Sequence, residues 1–173
     1  MAKDHPNRRV NRSLKFEEVP GSDIWWRNMQ GSPTDFSPAG NRNFAIALSQ
    51  EYAEELSQEG WTCIAFKPRD RNDPESPILP RFKIKMNFKG PTPPKIYVAS
   101  SEGTRRTEVD ENWLDDQNID RRGIEWIDVA VNPYNWSVNG NEGCSAYLSE
   151  ITIKLQEGAF EQKYSSIPEE PPF

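Results

Sequence analysis

The chain has 173 residues, 35% hydrophobic and 28% charged, with 15 prolines and a mean hydropathy of -0.85, which allows one packed core with a good share of loop and arm around it. Its net charge of -6 excludes a uniformly basic surface, no apolar run nears the roughly 20 residues of a membrane span, and no charged-then-apolar start resembles a signal peptide, so a cytoplasmic protein is expected. Two cysteines, Cys63 and Cys144, lack CxxC spacing and the one histidine is His5; no zinc site, disulfide framework or bound cofactor is expected, and each cysteine reads as a small hydrophobe.

In chain order, residues 1–35 read as a basic, largely irregular N-terminal arm, because Pro6, Pro20, Gly21, Gly31 and Pro33 break any periodicity. Residues 41–48 alternate Phe44, Ile46 and Leu48 with small partners, the pattern of a half-buried strand. Ser49 then caps a short helix over residues 50–59, with acids in its first turn and Gly60 at its end. Trp61 to Lys67 reads as a second strand, and the proline-rich stretch from Pro68 to Pro80 as a loop barred from a central strand. Residues 81–89 form the cleanest strand, Phe82, Ile84, Met86 and Phe88 on one face and Arg81, Lys83, Lys85 and Lys89 on the other. Lys95 to Ala99 returns with Ile96 and Val98 inward, Lys95 and Tyr97 outward.

Residues 108–123 hold Trp113 and Leu114 among acids and read as a short helix or lid. Ile127, Val129 and Val131 mark another strand, Asn132 to Gly143 a turn-rich connection, and Ser145 to Leu155 a final strand with Tyr147, Ile151, Ile153 and Leu155 on one face. About six strands and one helix fit a mainly β chain: a small OB-like β-barrel with irregular N- and C-terminal arms. The expected organisation is the arm at 1–35, the barrel at 36–160 and an acidic tail at 161–173.

No local signature of a nucleophile, metal cluster or phosphate loop is present. Asp115, Asp116, Asp120 and Asp128 offer oxygen ligands for a divalent ion and hence a nuclease reading; acids on a solvated loop are the plainer one. Aromatic residues interleaved with cations, in contrast, suit single-stranded nucleic acid, where rings stack on bases and Lys or Arg meets phosphate. Five places show the combination: Trp25, Trp26 and Arg27, where a staple of the arm onto the barrel is the other reading; Arg42 and Asn43; Lys83, Lys85, Lys95 and Tyr97, taken as one surface of two neighbouring strands; Arg105 and Arg106 on a loop long enough to close over DNA; and Tyr134 and Trp136, for which core packing is the alternative.

The stretch Asn132-Pro-Tyr-Asn-Trp-Ser-Val-Asn-Gly-Asn-Glu-Gly-Cys-Ser-Ala-Tyr-Leu, together with Phe36-Ser-Pro-Ala-Gly-Asn-Arg-Asn-Phe and Glu59-Gly60-Trp61, resembles the OB-fold single-stranded-DNA-binding proteins of phages. The end of the chain, Ser165-Ser-Ile-Pro-Glu-Glu-Pro-Pro-Phe, resembles the acidic tip those proteins present to partner enzymes, which gives Glu169, Glu170 and Phe173 a partner-binding role. The resemblance implies a non-enzymatic, sequence-tolerant binder of single-stranded DNA in phage replication or recombination, working in the cytoplasm of the infected host, with replication or recombination proteins as partners and a homo-oligomer left open. A protein-interaction module in a phage replication or host-takeover complex is the alternative.

Overall fold

Period-two alternation builds most of this molecule, and a few residues that break it decide which way the side chains point. A computed structural model of the chain describes residues 9–34, 38–67, 72–73 and 75–157. The elements are β1 Leu14–Pro20, a 3-10 turn at Gly21–Asp23, β2 Ile24–Asn28, β3 Arg42–Ala47, α1 Gln50–Glu59, β4 Ile64–Lys67, β5 Leu79–Met86, β6 Lys95–Ala99, β7 Arg106–Val109, α2 Glu111–Asp116, β8 Ile124–Val138 and β9 Asn141–Leu155.

The nine strands form one sheet whose main path runs β1-β8-β9-β5-β3-β2, with β4 on the side of β5 and β6 and β7 branching from β9. These pairings never return on themselves, so among the described residues no hydrogen-bonded ring closes the sheet into a barrel. The two ends of the path, β1 and β2, are nonetheless consecutive in the chain and joined only by the Gly21–Asp23 turn. That link spans at most roughly 14 Å, so the sheet curls until its end strands lie near one another. Gly21 is required at the seam, because a Cβ there would stand 1.8 Å from the carbonyl oxygen of Ile124.

Inside the curl lie Phe44 and Ile46 of β3, Phe82, Ile84 and Met86 of β5, Ile127, Val129 and Val131 of β8, and Cys144, Ala146, Leu148, Ile151 and Ile153 of β9, joined by Leu56 of α1 and by Trp61, whose ring meets Phe82 edge-on. Helix α1 forms as its sequence predicts: the Ser49 hydroxyl accepts from the amide of Tyr52, and Gly60 closes the helix with a positive φ of 128°.

The irregular N-terminal arm is corrected, since residues 14–28 supply two strands of the sheet, β1 on β8 and β2 on β3. Each carries a register shift, between Phe16 and Val19 and between Trp25 and Asn28, where Glu18 and Trp26 take positive φ values of 50° and 52°. Such bulges hide the alternation: Leu14 and Val19 are buried five positions apart. The stretch from Pro68 to Pro80 is corrected at its end, because Leu79 and Pro80 already belong to β5 and pair with β4. The turn-rich connection expected from Asn132 to Gly143 is instead mostly strand, with β8 running to Val138 and turning at Asn139 and Gly140. Sequence reading also missed β7.

Candidate nucleic-acid interface

The outer face of the sheet is where exposed rings and cations meet. Cross-strand registers place Asn28 opposite Asn43, Asn43 opposite Lys85, Lys85 opposite Tyr147, and Tyr147 opposite Asn132, one row across β2, β3, β5, β9 and β8. Residues directly opposite share a face, so these five side chains line a polar band with a ring near its middle. The Lys85 ammonium lies 5.9 Å from the centre of the Tyr147 ring. Tyr134 packs edge-on against Tyr147 at 5.4 Å and 69° and is itself 56% exposed.

Tyr147 was expected on the same face as Ile151. A slip in the ladder reverses it: Ala130 pairs with Glu150 but Val131 pairs with Leu148, leaving Ser149 as the extra residue, with its hydroxyl on the carbonyl of Ala130. Before the bulge Cys144, Ala146 and Leu148 face the core, after it Ile151 and Ile153 do, and Tyr147 faces out. The three-residue step from Leu148 to Ile151 was the signal available in the sequence.

Beside this row the two tryptophans of β2 both lie over cations of β5. The Trp25 ring sits 4.1 Å from the Arg81 guanidinium and the Trp26 ring 5.4 Å from the Lys83 ammonium. Strict alternation would send one ring to each face; the left-handed backbone at Trp26 lets both lie over β5. Trp26 is 49% exposed, whereas Arg81, expected on the open basic stripe, is buried beneath Trp25 and donates to the carbonyls of Leu79 and Pro80. Lys83 and Lys85 are the exposed cations of β5.

Next to the row opens a cleft of about 610 Å³ whose lining includes Asn41, Arg42, Asn43, Lys85, Asn87, Phe88, Lys89, Glu111 and Tyr147. Arg42 is held rather than free: it donates to the carbonyl of Met29 at 2.7 Å, pairs through its fork with Asp115 at 3.1 Å and reaches Glu111 at 3.5 Å. Its guanidinium lies 5.7 Å from the Phe88 ring. Asn43, which also lines the cleft, donates from its side-chain amide to the carbonyl of Asn41.

Several expected site residues lie elsewhere. Arg27 donates to the carbonyls of Arg122 and Ile119, and burial pulls its pKa down against the pull of Asp120; it ties β2 to the loop after α2. Strands β5 and β6 are not neighbours, since each pairs with β9, β5 at Tyr147 and β6 from Glu150 to Ile153. Lys95 and Tyr97 therefore form a separate patch, with Thr152, the partner of Tyr97, about 16 Å along β9 from Tyr147. There the Arg106 guanidinium covers the Tyr97 ring at 3.9 Å and bonds Glu150 at 2.7 Å, a contact that raises the arginine pKa. Arg106 belongs to β7 rather than to the loop, while Arg105 is exposed just before it. Tyr134 and Trp136 stand on β8, not on a loop; Trp136 lies across Gly143, where a Cβ would meet its ring at 2.4 Å. Glu169, Glu170 and Phe173 lie outside the described residues.

The four acids of the nuclease reading do not gather. Asp115 holds Arg42, Asp120 accepts from the amides of Met29 and Gln30, and Asp128 accepts from the amide of Glu18 at its bulge. Among the described residues no group of three or more His, Cys, Asp or Glu side chains forms a metal site, and no helix is long and apolar enough to cross a membrane. Both cysteines are free thiols, and burial pushes the Cys63 pKa up to about 12, far from a reactive thiolate.

Residues 6–171 match the model of a family described as "Putative phage ssDNA-binding domain". Among solved structures the chain is similar to the single-stranded DNA-binding protein of bacteriophage Enc34 in complex with ssDNA, at 10% identity and a TM-score of 0.50, over 86% of this chain and 89% of that one. A second structure of the single-stranded DNA-binding protein from bacteriophage Enc34 gives 11% identity and a TM-score of 0.49 over 86% and 83%. The gp2.5 single-stranded DNA binding protein encoded by bacteriophage T7 gives 11% identity and 0.39 over 95% and 98%. None of the curated proteins compared matches the chain. The first likeness concerns the fold alone, a mainly β, OB-like architecture.

Proposed function

The chain belongs to this family of phage single-stranded-DNA-binding domains, and from that premise we propose that it binds single-stranded DNA without catalysis and with broad tolerance of sequence, in support of phage DNA replication or recombination in the cytoplasm of the infected cell. The observation that carries the proposal is the outer row in which Lys85 and Tyr147 stand at the centre, flanked by Trp26 with Lys83 on one side and Tyr134 on the other. Rings there stack on successive bases while the lysines neutralise phosphates. Every base has a π face, so this mode of binding tolerates sequence, and each stacked base contributes about 1–3 kcal/mol.

An overall charge of -6 does not oppose this, because the acids are spent elsewhere. Glu51, Glu54 and Glu55 lie along α1, Asp115 is engaged with Arg42, and Glu59 with Arg12. Fluorescence anisotropy with a labelled dT oligonucleotide against duplex of equal length, at low and moderate salt, tests the proposal, with quenching of Trp25 and Trp26 followed in parallel. Salt-sensitive, single-strand-selective binding with quenching is expected; no binding to either nucleic acid refutes it.

A second reading, a protein-interaction module in a phage replication or host-takeover complex, draws on Phe66 and Leu79, 45% and 40% exposed where β4 meets β5. Tight capture of a protein partner with no affinity for DNA would be its mark.

A further inference from the structure

We propose that the cleft beside Tyr147 is a single-nucleotide pocket that prefers guanine, so that DNA binding by this chain is tolerant along most of the strand but selective at one position. The proposal rests on the single-strand-binding reading and adds a base preference to it. Its starting point is an acid where a phosphate site should have none. Glu111 lines the same cleft as Lys85 and Lys89, and a carboxylate beside the path of a polyanion repels it. Nor does Arg42 need it: that guanidinium is already gripped by Asp115 at 3.1 Å and by the Met29 carbonyl at 2.7 Å, with Glu111 only at 3.5 Å.

A weakly held carboxylate at 44% side-chain exposure keeps acceptor capacity on both oxygens. Guanine is the base that matches it, because its Watson–Crick edge presents two adjacent donors, the ring N1–H and the exocyclic amine, to both oxygens at once. Cytosine and adenine offer one exocyclic amine beside an acceptor. Thymine offers one N–H between two carbonyls, which the carboxylate repels.

The remaining walls fit the rest of a nucleotide. Tyr147 and Phe88 supply apolar ring surface, and Asn43 supplies a polar side chain anchored on the Asn41 carbonyl. Asn87, whose oxygen accepts from the Lys89 amide, adds a polar side chain to the same wall. Lys89 arches toward Gly40, its ammonium 3.6 Å from where a Cβ on that glycine would stand, and with Lys85 it brackets the space a phosphate takes. A volume of about 610 Å³ admits one nucleotide with its phosphate.

The test compares oligonucleotides of about 12 nucleotides, alternating dT-dG, alternating dT-dC, and dT alone, by anisotropy competition at one salt concentration. A matched two-bond pair discriminates among bases by about fivefold or more, so the dT-dG strand is expected to bind at least about fivefold tighter than dT alone, with dT-dC between. Equal affinity for all three overturns the pocket while leaving single-strand binding intact, whereas no binding to any of them refutes the function beneath it. Glu111→Gln keeps the shape and loses one acceptor; the dG-to-dT ratio is expected to fall to near one, and a ratio unchanged from wild type overturns the assignment to Glu111. Binding of dT by the same variant shows that it is folded.

Discussion

Truncating the ring at the centre of the outer row gives the most direct test of how this surface works. In Tyr147→Ala the core side of β9 is untouched, since Ala146 and Leu148 face inward, and what is lost within the protein is an edge-on ring contact with Tyr134 and the exposed approach of the Lys85 ammonium at 5.9 Å. The ring pair is worth about 0.5–1.5 kcal/mol and the exposed cation contact about 0.5–1 kcal/mol, so the variant folds. Its DNA affinity loses one stacking platform, about 1–3 kcal/mol, or roughly 5- to 150-fold at 1.4 kcal/mol per tenfold. No phosphate-binding charge is removed, so a plot of log affinity against log salt keeps its slope while shifting down. Tyr97→Ala is the matched control. Its ring is covered at 3.9 Å by Arg106, which is itself held by Glu150, and a base must displace that guanidinium to stack. Anisotropy titrations of both variants over a salt series are expected to show a large loss for Tyr147→Ala and a small one for Tyr97→Ala. Wild-type affinity in Tyr147→Ala, or a larger loss at Tyr97, refutes the assignment of the central row.

Lys85→Ala removes one phosphate partner, so the salt slope on single-stranded DNA should shrink by about 0.7; an unchanged slope takes Lys85 off the phosphate path. Gly21→Ala drives a methyl into the Ile124 carbonyl, an overpacking cost of about 1–3 kcal/mol, and urea denaturation should show that loss, with an unaffected midpoint contradicting the tight seam. Arg12→Ala breaks the 2.7 Å pair with Glu59, a contact that holds the Glu59 pKa below 4.5. A depressed carboxylate pKa stabilises the fold above the unfolded value and ceases to do so as pH falls through the folded one. Both partners are partly exposed, so the variant should lose under about 1 kcal/mol at pH 7, with a gap that closes on acidification below 4.5; a gap that is constant with pH contradicts this.

Strands with clean alternation were legible in the sequence: Phe44 and Ile46 inward in β3, Phe82, Ile84 and Met86 inward in β5 with Lys83 and Lys85 outward, and helix α1 from its cap to its closing glycine. What was not legible sits at bulges. Glu18, Trp26 and Ser149 each shift a register by one residue, and a one-residue slip turns every following side chain to the other face. Strands β1 and β2 read as an irregular arm for that reason, and Tyr147 read as core. The candidate site suffered from a second limit, which is topology. Lys85 and Tyr97 both point outward, but no local pattern tells that their strands meet β9 at different points along it, at Tyr147 and from Glu150 onward, which sends them to separate patches. Arg27, Arg42 and Arg81 show a third: arginines that look free in sequence are consumed by backbone carbonyls and acids distant in the chain.

The seam at Gly21–Asp23 also sets an order of events for the chain as it is made. Strand β2 finds β3 a short way along the chain, but β1, only three residues before β2, has its partner in β8, with Leu14 against Val131. An emerging chain can pair β2, β3, α1 and β5 while β1 waits with Leu14 and Phe16 uncovered, until β8 leaves the ribosome. Pairings this distant in sequence close slowly, and uncovered apolar strand is what chaperones and stray edges capture during that wait. The first strand made is thus held back until more than a hundred residues have followed it, and a chain halted before β8 has no place to put it.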